Sequence, residues 1–309
     1  STEEGTISNH SYGTYRLLVL FPEDFRRTLC FEIPTFDCAF DIFFNETRVG
    51  GNGKVGTSKE TSEPWYAPFE YCYSPQGDTL QIVINAANFH HRRGGFWQPI
   101  VVGDASVMIN KIKRKHMFYS STLGILLFFA LFFLVFRLFS RKETIMRYFA
   151  LTALGILMRT VNTDIFLSNI FVYTPWAWQV RMEYAGTFLA HIFGMFYLNL
   201  MYPSSVMKQL TRANAVLFAI CLVLVFALRV DQFAYTMLVF QPLIVAFLLY
   251  YLIRSFIGVL KLEFKDILFF VGLGFFLLTL VNDILVSNSQ GAVSKDYLTP
   301  IAFQVFILV

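Results

Sequence analysis

Only 15% of the 309 residues are charged, against roughly a quarter in ordinary soluble domains. The shortage is uneven: residues 1–116 hold 12 Lys+Arg and 13 Asp+Glu, whereas residues 117–309 hold 13 and 8, set between long apolar runs. That distribution excludes a single soluble globule and predicts a water-facing domain followed by a membrane domain. Cysteine is scarce as well. Cys30, Cys38 and Cys72 fall in the first part and Cys221 stands alone in an apolar run, so the first part has room for one internal disulfide. Cys30 and Cys38 lie on or beside neighbouring strands and could pair, but unpaired buried thiols are the commoner outcome for such residues. There is no CxxC and no Cys/His spacing of the zinc type. The chain opens on polar STEEG rather than an apolar leader, so an export signal is expected to have been removed.

Several membrane chemistries are missing their residues. A retinal Schiff base needs a lysine deep in a helix, and no visible span has one. A metal-dependent membrane hydrolase needs several histidines with an acid, and His191 is the only histidine within the spans. Broken helices and repeat symmetry, the marks of a secondary transporter, are not evident. The reading is therefore no catalytic constellation, no cofactor and no metal. GNGKVG, Gly51 to Gly56, has dinucleotide-loop spacing, but TSKETSEP follows it where a helix would be required, so a β-turn is expected.

What is present can be counted against a bilayer, which takes about 20 apolar residues per helix. Met117 to Phe136, Tyr148 to Tyr173, Tyr184 to Tyr202, Ala213 to Leu228, Phe233 to Ile253 and Ile267 to Val281 give six spans. Ile301 to Val309 reads as the start of a seventh, cut short. Basic residues favour the cytoplasmic side. The loops after spans one, three and five carry nine (Arg137, Arg141, Lys142, Arg147, Lys208, Arg212, Arg254, Lys261, Lys265), and the other loops only Arg181, Arg229 and Lys295. The N-terminal domain is thus expected outside the cell membrane. The run KIKRK, Lys111 to Lys115, disagrees with that bias.

The outer domain reads as β. Tyr15 to Phe21, Thr28 to Ile33, Ala39 to Phe44 and Thr79 to Asn85 are short aromatic and β-branched runs between turn-formers, with Ile100 to Ile109 as a further strand. A long polar stretch, NETRVGGNGKVGTSKETSEP, separates them. Several short strands without a convincing amphipathic helix predict an antiparallel sandwich. In NAANFHHRRGGFW, adjacent His90 and His91 on a strand would face opposite ways, which argues against a two-histidine metal site. Arg92 and Arg93 are two charges in a near-neutral domain, which argues against phosphate or nucleic acid. Gly94 and Gly95 predict a tight turn, with Asn88 bonding local backbone. Trp65, Tyr66, Phe96 and Trp97 suit either sugar stacking or a core and membrane-interface role.

Polar side chains inside a membrane are expensive and face the bundle interior or a water-filled cavity. At 1.5 Å per residue, Arg159 lies about 16 Å and Asp164 about 24 Å outward of Tyr148, and His191 about 12 Å inward of Glu183. Arg159, Asn162, Asp164, Arg181, Glu183, His191, Asn282 and Asp283 are accordingly expected in the outer half of the bilayer. They form either a network that holds the helices in register, with Arg159 balanced by Asp164 or Asp283, or a polar cup that receives a ligand or a loop of the outer domain. Arg92 or Arg93 is a candidate to reach Glu183, Asp164 or Asp283.

GTYRLLVLFP (Gly13 to Pro22), AFDIFFNETRVGGNG (Ala39 to Gly53) and INAANFHHRRGGFWQPIVVG (Ile84 to Gly103), with LMRTVNTDIF in span two, Arg181-Met182-Glu183-Tyr184, Tyr202-Pro203 and Asn282-Asp283, form an ordered set. The set resembles the bacterial seven-transmembrane receptors with diverse intracellular signalling modules, over nearly the whole chain. The resemblance implies a jelly-roll, galactose-binding-like sandwich over residues 1–115 and a seven-helix domain over 116–309, with six full spans and the start of a seventh. It implies a sensor in the bacterial inner membrane, working as a homodimer, with an extracytoplasmic, carbohydrate-like ligand. The seventh helix would feed a cytoplasmic effector in cis: a histidine kinase, a cyclase or a phosphatase. Asn88, Arg92, Arg93, Gly94, Gly95 and Trp97 are the signature loop of that outer domain. The alternative is a membrane scaffold that answers to a protein partner or envelope stress.

Overall fold

A computed structural model describes residues 10–34, 36–66, 69–92, 99–139, 144–163, 174–288 and 298–308. The chain forms two compact units: Ser1–Phe118 with Asp164–Gln179, and Tyr119–Thr163 with Val180–Val309.

The first unit is a sandwich of two antiparallel sheets. β1 (Ser11–Leu20), β6 (Thr79–Asn88), β3 (Ala39–Phe44) and β4 (Thr47–Asn52) form one sheet in the order β1-β6-β3-β4. β5 (Phe69–Tyr73), β2 (Leu29–Ile33) and β7 (Val101–Asp104) form the other in the order β5-β2-β7. Alternation decides which side chains go inside: Phe31, Ile33, Phe40, Ile42, Phe44, Leu80, Ile82 and Ile84 fill the space between the sheets. Aromatic edges lock the layers, with Phe44 edge-on to Phe31 and Tyr71 and Phe40 stacked on Phe69. Gly50 is required where it stands, since a Cβ there would meet the Phe69 ring at 2.5 Å.

Three expectations for this unit change. The polar stretch after Phe44 contains a strand, β4, because the positive-φ pair Asn45 and Glu46 makes a two-residue hairpin turn. Ile100 to Ile109 is not one strand: the strand ends at Asp104, whose Oδ1 accepts the Ser106 amide and hydroxyl at 3.0 and 2.8 Å. That acidic cap starts helix α1 (Ala105–Phe139) at once. The disulfide is Cys30–Cys72 rather than Cys30–Cys38. β2 and β5 pair in a register that sets Cys30 directly opposite Cys72, on the face turned away from the Phe31 core. Cys38 is a free buried thiol, pushed up to about 12 by burial with help from the Asp37 charge, which keeps it protonated and inert.

The second unit is helical: the remainder of α1, then α2 (Thr144–Thr163), α3 (Trp176–Met201, which begins in the first unit), α4 (Ser205–Ala227), the short α5 (Val230–Phe233), α6 (Thr236–Val259), α7 (Phe264–Ser287) and α8 (Thr299–Leu308). Among the described residues, five stretches are long and apolar enough to cross a membrane: Ala105–Phe136, Thr144–Thr163, Ser205–Ala227, Val230–Val259 and Phe264–Ser287. α3 has the length, at 26 residues, but carries Arg181, Glu183 and His191. The outer half of the expected second span, Asp164 to Tyr173, lies outside the described residues.

α2 and α3 touch through backbone. A Cβ on Gly155 would meet Ala190 N at 2.5 Å, and one on Gly186 would meet Arg159 N at 2.6 Å and Gly155 O at 2.7 Å. Small residues permit such close approach where no hydrophobic drive separates helix from lipid. We predict that Gly186→Leu forces these helices apart and lowers the Tm of the detergent-solubilised protein by several degrees or abolishes folding. Gly124→Leu, on open surface, should leave it unchanged; equal Tm values for both variants would refute the close-packed seam.

Candidate functional site

Three groups of residues stand out, and the first is one end of the sandwich. Asn88 closes the end of β6 on itself: its Nδ2 donates to His91 O at 2.8 Å, and its Oδ1 accepts His91 N at 3.2 Å. The expected backbone bond from Asn88 is thus present. His90 and His91 have different surroundings. His90 Nε2 meets Ser62 O at 3.0 Å, whereas His91 is buried, its Nδ1 3.5 Å from the carboxylate of buried Asp37. The His91 ring sits edge-on to Trp176 at 6.3 Å, the first residue of α3. Asn52 Nδ2 bridges Phe36 O, Cys38 O and Trp65 O. Loops β2–β3, β4–β5 and β6–β7 are therefore tied into one cluster, with Trp65 and Tyr66 half-buried at its side. GNGKVG belongs to it as a turn: Gly53 has φ +69°, and Lys54 pairs with Glu63 in an isolated bridge. Arg92 is half-buried beside His91; Arg93, Gly94, Gly95, Phe96 and Trp97 lie outside the described residues. Neither Asp37 nor Trp176 was flagged from sequence, because a core aspartate and an aromatic helix start carry no motif.

The second group is the junction of β7 with α1, which has no loop. Ala105 N donates to Thr28 O at 3.0 Å, and Met108 and Ile112, one turn apart, are buried on the sandwich. Met108 lies against Gly103, the register partner of Cys30, so this face of α1 covers the face that holds the disulfide. On the same stretch Lys115 Nζ is 2.8 Å from Glu32 Oε1, and Lys111 Nζ is 3.5 Å from Glu32 Oε2. Burial raises the Glu32 carboxyl, but the two lysines together outweigh it and hold the group below its ordinary range. Burial and the Glu32 charge push neighbouring Glu70 the other way. Two charges of the KIKRK run, Lys111 and Lys115, are thereby tied to the sandwich.

The third group contains the polar residues of the helices. Arg181 Nη2 donates to Leu228 O at 2.9 Å, at the end of α4, and its guanidinium lies 5.5 Å from the Phe233 ring centre. Asn162 Nδ2 turns back to Met158 O on its own helix. The Arg159 backbone rests on Gly186 in the α2–α3 seam, and Glu183 O accepts the Thr187 hydroxyl at 2.8 Å within α3. His191 is buried edge-on to Phe218, Phe240 and Phe247, and its Nε2 meets Asn214 Nδ2 at 2.6 Å. Asn282 Nδ2 is 3.5 Å from Asp283 Oδ1.

Asp283 has a more specific role. Its Oδ1 accepts Leu298 N at 2.8 Å and its Oδ2 accepts Thr299 N at 2.9 Å. A buried carboxylate thus caps the N-terminus of α8, where free amides and the helix dipole favour negative charge. Gln304 Nε2 on α8 also donates to Thr122 O on α1 at 2.8 Å. Phe303 stacks on Phe149 of α2, and Phe306 meets Phe269 of α7 and Tyr197 of α3. At the other end of α7, Tyr202 OH donates to Asp266 Oδ1 at 2.5 Å. Asp164 lies outside the described residues. Asn214, Gln304 and Asp266 were missed from sequence; a polar residue inside or at the end of an apolar run was the available signal.

Two outcomes are expected. Asp283→Ala strands two amides, each worth about 1–3 kcal/mol when buried without a partner. It should therefore accelerate amide exchange over residues 298–308, whereas Asn282→Ala should do so much less; equal exchange in both would remove Asp283 as the anchor. Because the folded Glu32 carboxyl titrates below its unfolded value, its contribution is present above the ordinary glutamate range and is lost as pH falls through the lowered value. Exchange over residues 105–115 should rise on that acid limb, and Glu32→Gln should abolish the step.

Residues 115–309 match the family described as 7TM diverse intracellular signalling. No curated protein and no solved structure matches the chain.

Proposed function

We propose a sensing role from a plain premise: the chain belongs to the 7TM diverse intracellular signalling family. It is a multi-pass membrane protein with a signalling role. In the finer reading, residues 1–115 form an extracytoplasmic, periplasmic sandwich of the jelly-roll, galactose-binding-like kind, and residues 116–309 form the seven-helix domain in the bacterial inner membrane. The sandwich takes a small, carbohydrate-like ligand at its loop end, near Trp65, Tyr66 and the signature loop. Two copies act together, and the seventh helix drives a cytoplasmic kinase, cyclase or phosphatase in cis. The chain itself transmits and does not catalyse.

The single observation that carries this reading is the junction without a loop. β7 becomes α1 in one residue step, and α1 runs 35 residues, about 52 Å at 1.5 Å per residue. Its first three turns are fixed to the sandwich by Met108, Ile112 and the Glu32 clamp. A ligand that favours one arrangement of the sandwich would therefore act on a membrane helix without slack, which is what a population shift between two states requires. Gln304 supports the next step, because it joins α1 to the start of the last helix. The nine-to-three excess of basic residues supports the orientation.

The experiment uses the protein in vesicles with a glycan and metabolite library on the sandwich side. A binder that raises Tm should also change amide exchange over residues 298–308, and Lys111→Ala/Lys115→Ala should uncouple the two effects. A ligand bound at the sandwich that never alters exchange in that segment would sink the sensor reading.

A further inference from the structure

The interior of the helical unit holds two hydroxyls that the side chains and backbone around them do not satisfy. Thr211 of α4 is 1% exposed and Tyr251 of α6 is fully buried. Neither oxygen has a hydrogen-bond partner among the described residues. Both lie inside stretches long and apolar enough to cross a membrane, Ser205–Ala227 and Val230–Val259. Thr211 stands about 9 Å from the start of α4, and Tyr251 about 12 Å from the end of α6. Further along the same two helices, Phe218 meets Phe240 at 5.5 Å, so α4 and α6 run antiparallel and carry the two hydroxyls at one level. The Thr211 hydroxyl is close enough to act on the Tyr251 phenol, but it is not placed for a direct hydrogen bond.

Other buried hydroxyls in this unit have a local solution. Thr152, Thr160, Thr187, Ser255 and Thr279 each donate to a carbonyl on their own helix. Thr211 makes no such bond. The Tyr251 hydroxyl sits at the far end of a ring, beyond reach of its own turn, and depends on what faces it. The polar neighbours are committed elsewhere. Ser255, one turn on from Tyr251, gives its proton to Leu252 O at 2.8 Å. Asn214, one turn from Thr211, has its Nδ2 2.6 Å from His191 Nε2. The rest of the two faces is apolar, with Met207 and Phe218 on α4 and Ile244 and Leu248 on α6. Hydrocarbon beyond them supplies no partner.

We propose that the seam between α4 and α6 binds an internal water molecule that bridges Thr211 Oγ1 and Tyr251 OH. A hydroxyl both donates and accepts, so the water takes a proton from one and gives one of its own to the other. Two polar partners are the minimum for a buried water, and such a water belongs to the structure rather than to the solvent. It makes the link between α4 and α6 that the two side chains do not make directly, one turn from the His191–Asn214 bond that joins α3 to α4. A bridge of two bonds follows a small slide between the helices more easily than a single direct bond would.

The test uses the full chain in lipid vesicles. Thr211→Val and Tyr251→Phe each remove one hydroxyl and keep the shape. If water bridges the pair, each variant strands a buried polar partner, so each should lower Tm by a few degrees, and the double variant should fall no further than the worse single one. Two bare hydroxyls would give the opposite sign, a rise in Tm for each variant, and that result overturns the site. A direct bond would give the same Tm pattern as the water, so the water is read separately. Brief X-ray radiolysis in heavy-oxygen water generates hydroxyl radicals where water is held. Tyr251 should take up label in spite of its burial, Thr211→Val should cut that label several-fold, and Phe188, equally buried, should stay unlabelled. Tyr251 without label in the unsubstituted protein overturns the water whatever the Tm values, even where a variant fails to fold. Label on Tyr251 that persists in Thr211→Val, or that Phe188 shares, overturns the bridge as well. None of these outcomes bears on the sensing role, which binding at the sandwich tests by itself.

Discussion

Hydrocarbon offers no water to a polar group, so every donor and acceptor inside the bundle must find its partner in the protein. That constraint orders the membrane half. Hydroxyls satisfy themselves locally: Thr152, Thr160, Thr187, Ser255 and Thr279 all donate to carbonyls three or four residues back on their own helices. Asn162 does the same. Side chains with more to satisfy are spent between helices, as in His191 with Asn214 and Arg181 with the end of α4. Asp283 is the extreme case, a buried carboxylate whose two oxygens take the amides that open α8. The start of the last helix is therefore specified by a charge on α7, by Gln304 reaching α1, and by rings from α2, α3 and α7. A helix held by that many partners is a poor place for slack and a good place to read a rearrangement of the others.

The same economy explains the other unit. Its four-by-three sandwich is closed by aromatic edges and one disulfide, and its last described strand, β7, runs directly into α1. Lys111 and Lys115 sit on that helix at a spacing of four, so both reach one carboxylate. Two cations around Glu32 outweigh its burial, whereas either one alone would leave less to offset it. The result ties β2, β7 and the first three turns of α1 together within the first unit.

How much of this was legible in the residues follows from what each signal depends on. Length and apolarity are local, so the helices and the two-part division could be counted directly. Aromatic and β-branched runs placed Ala39–Phe44 and Thr79–Asn85 as strands. β4 was hidden because three of its six residues are Gly and Asn, and the end of β7 because the strand passes into α1 without a turn-former between them. The disulfide could not be read at all: Cys72 reaches Cys30 through strand pairing 42 residues away, whereas Cys38 is merely near in sequence. In the bundle the polar residues were easy to find and their partners were not. Arg159 and Asp283 look like a balanced pair on paper, yet the oxygens of Asp283 are committed to backbone amides, which no sequence pattern reports.

The KIKRK run and β1 teach the same lesson. A cluster of positive charge just before a first span runs against the expected orientation, and two of those charges, Lys111 and Lys115, are held by Glu32 of the sandwich. β1 departs from a rule as well: its run of tyrosine and leucine does not alternate, and only its pairing with β6 shows which of its residues turn to the core side. A residue that breaks a rule can be satisfied by a neighbour the sequence does not reveal. In both cases the deciding quantity is the environment around the side chain.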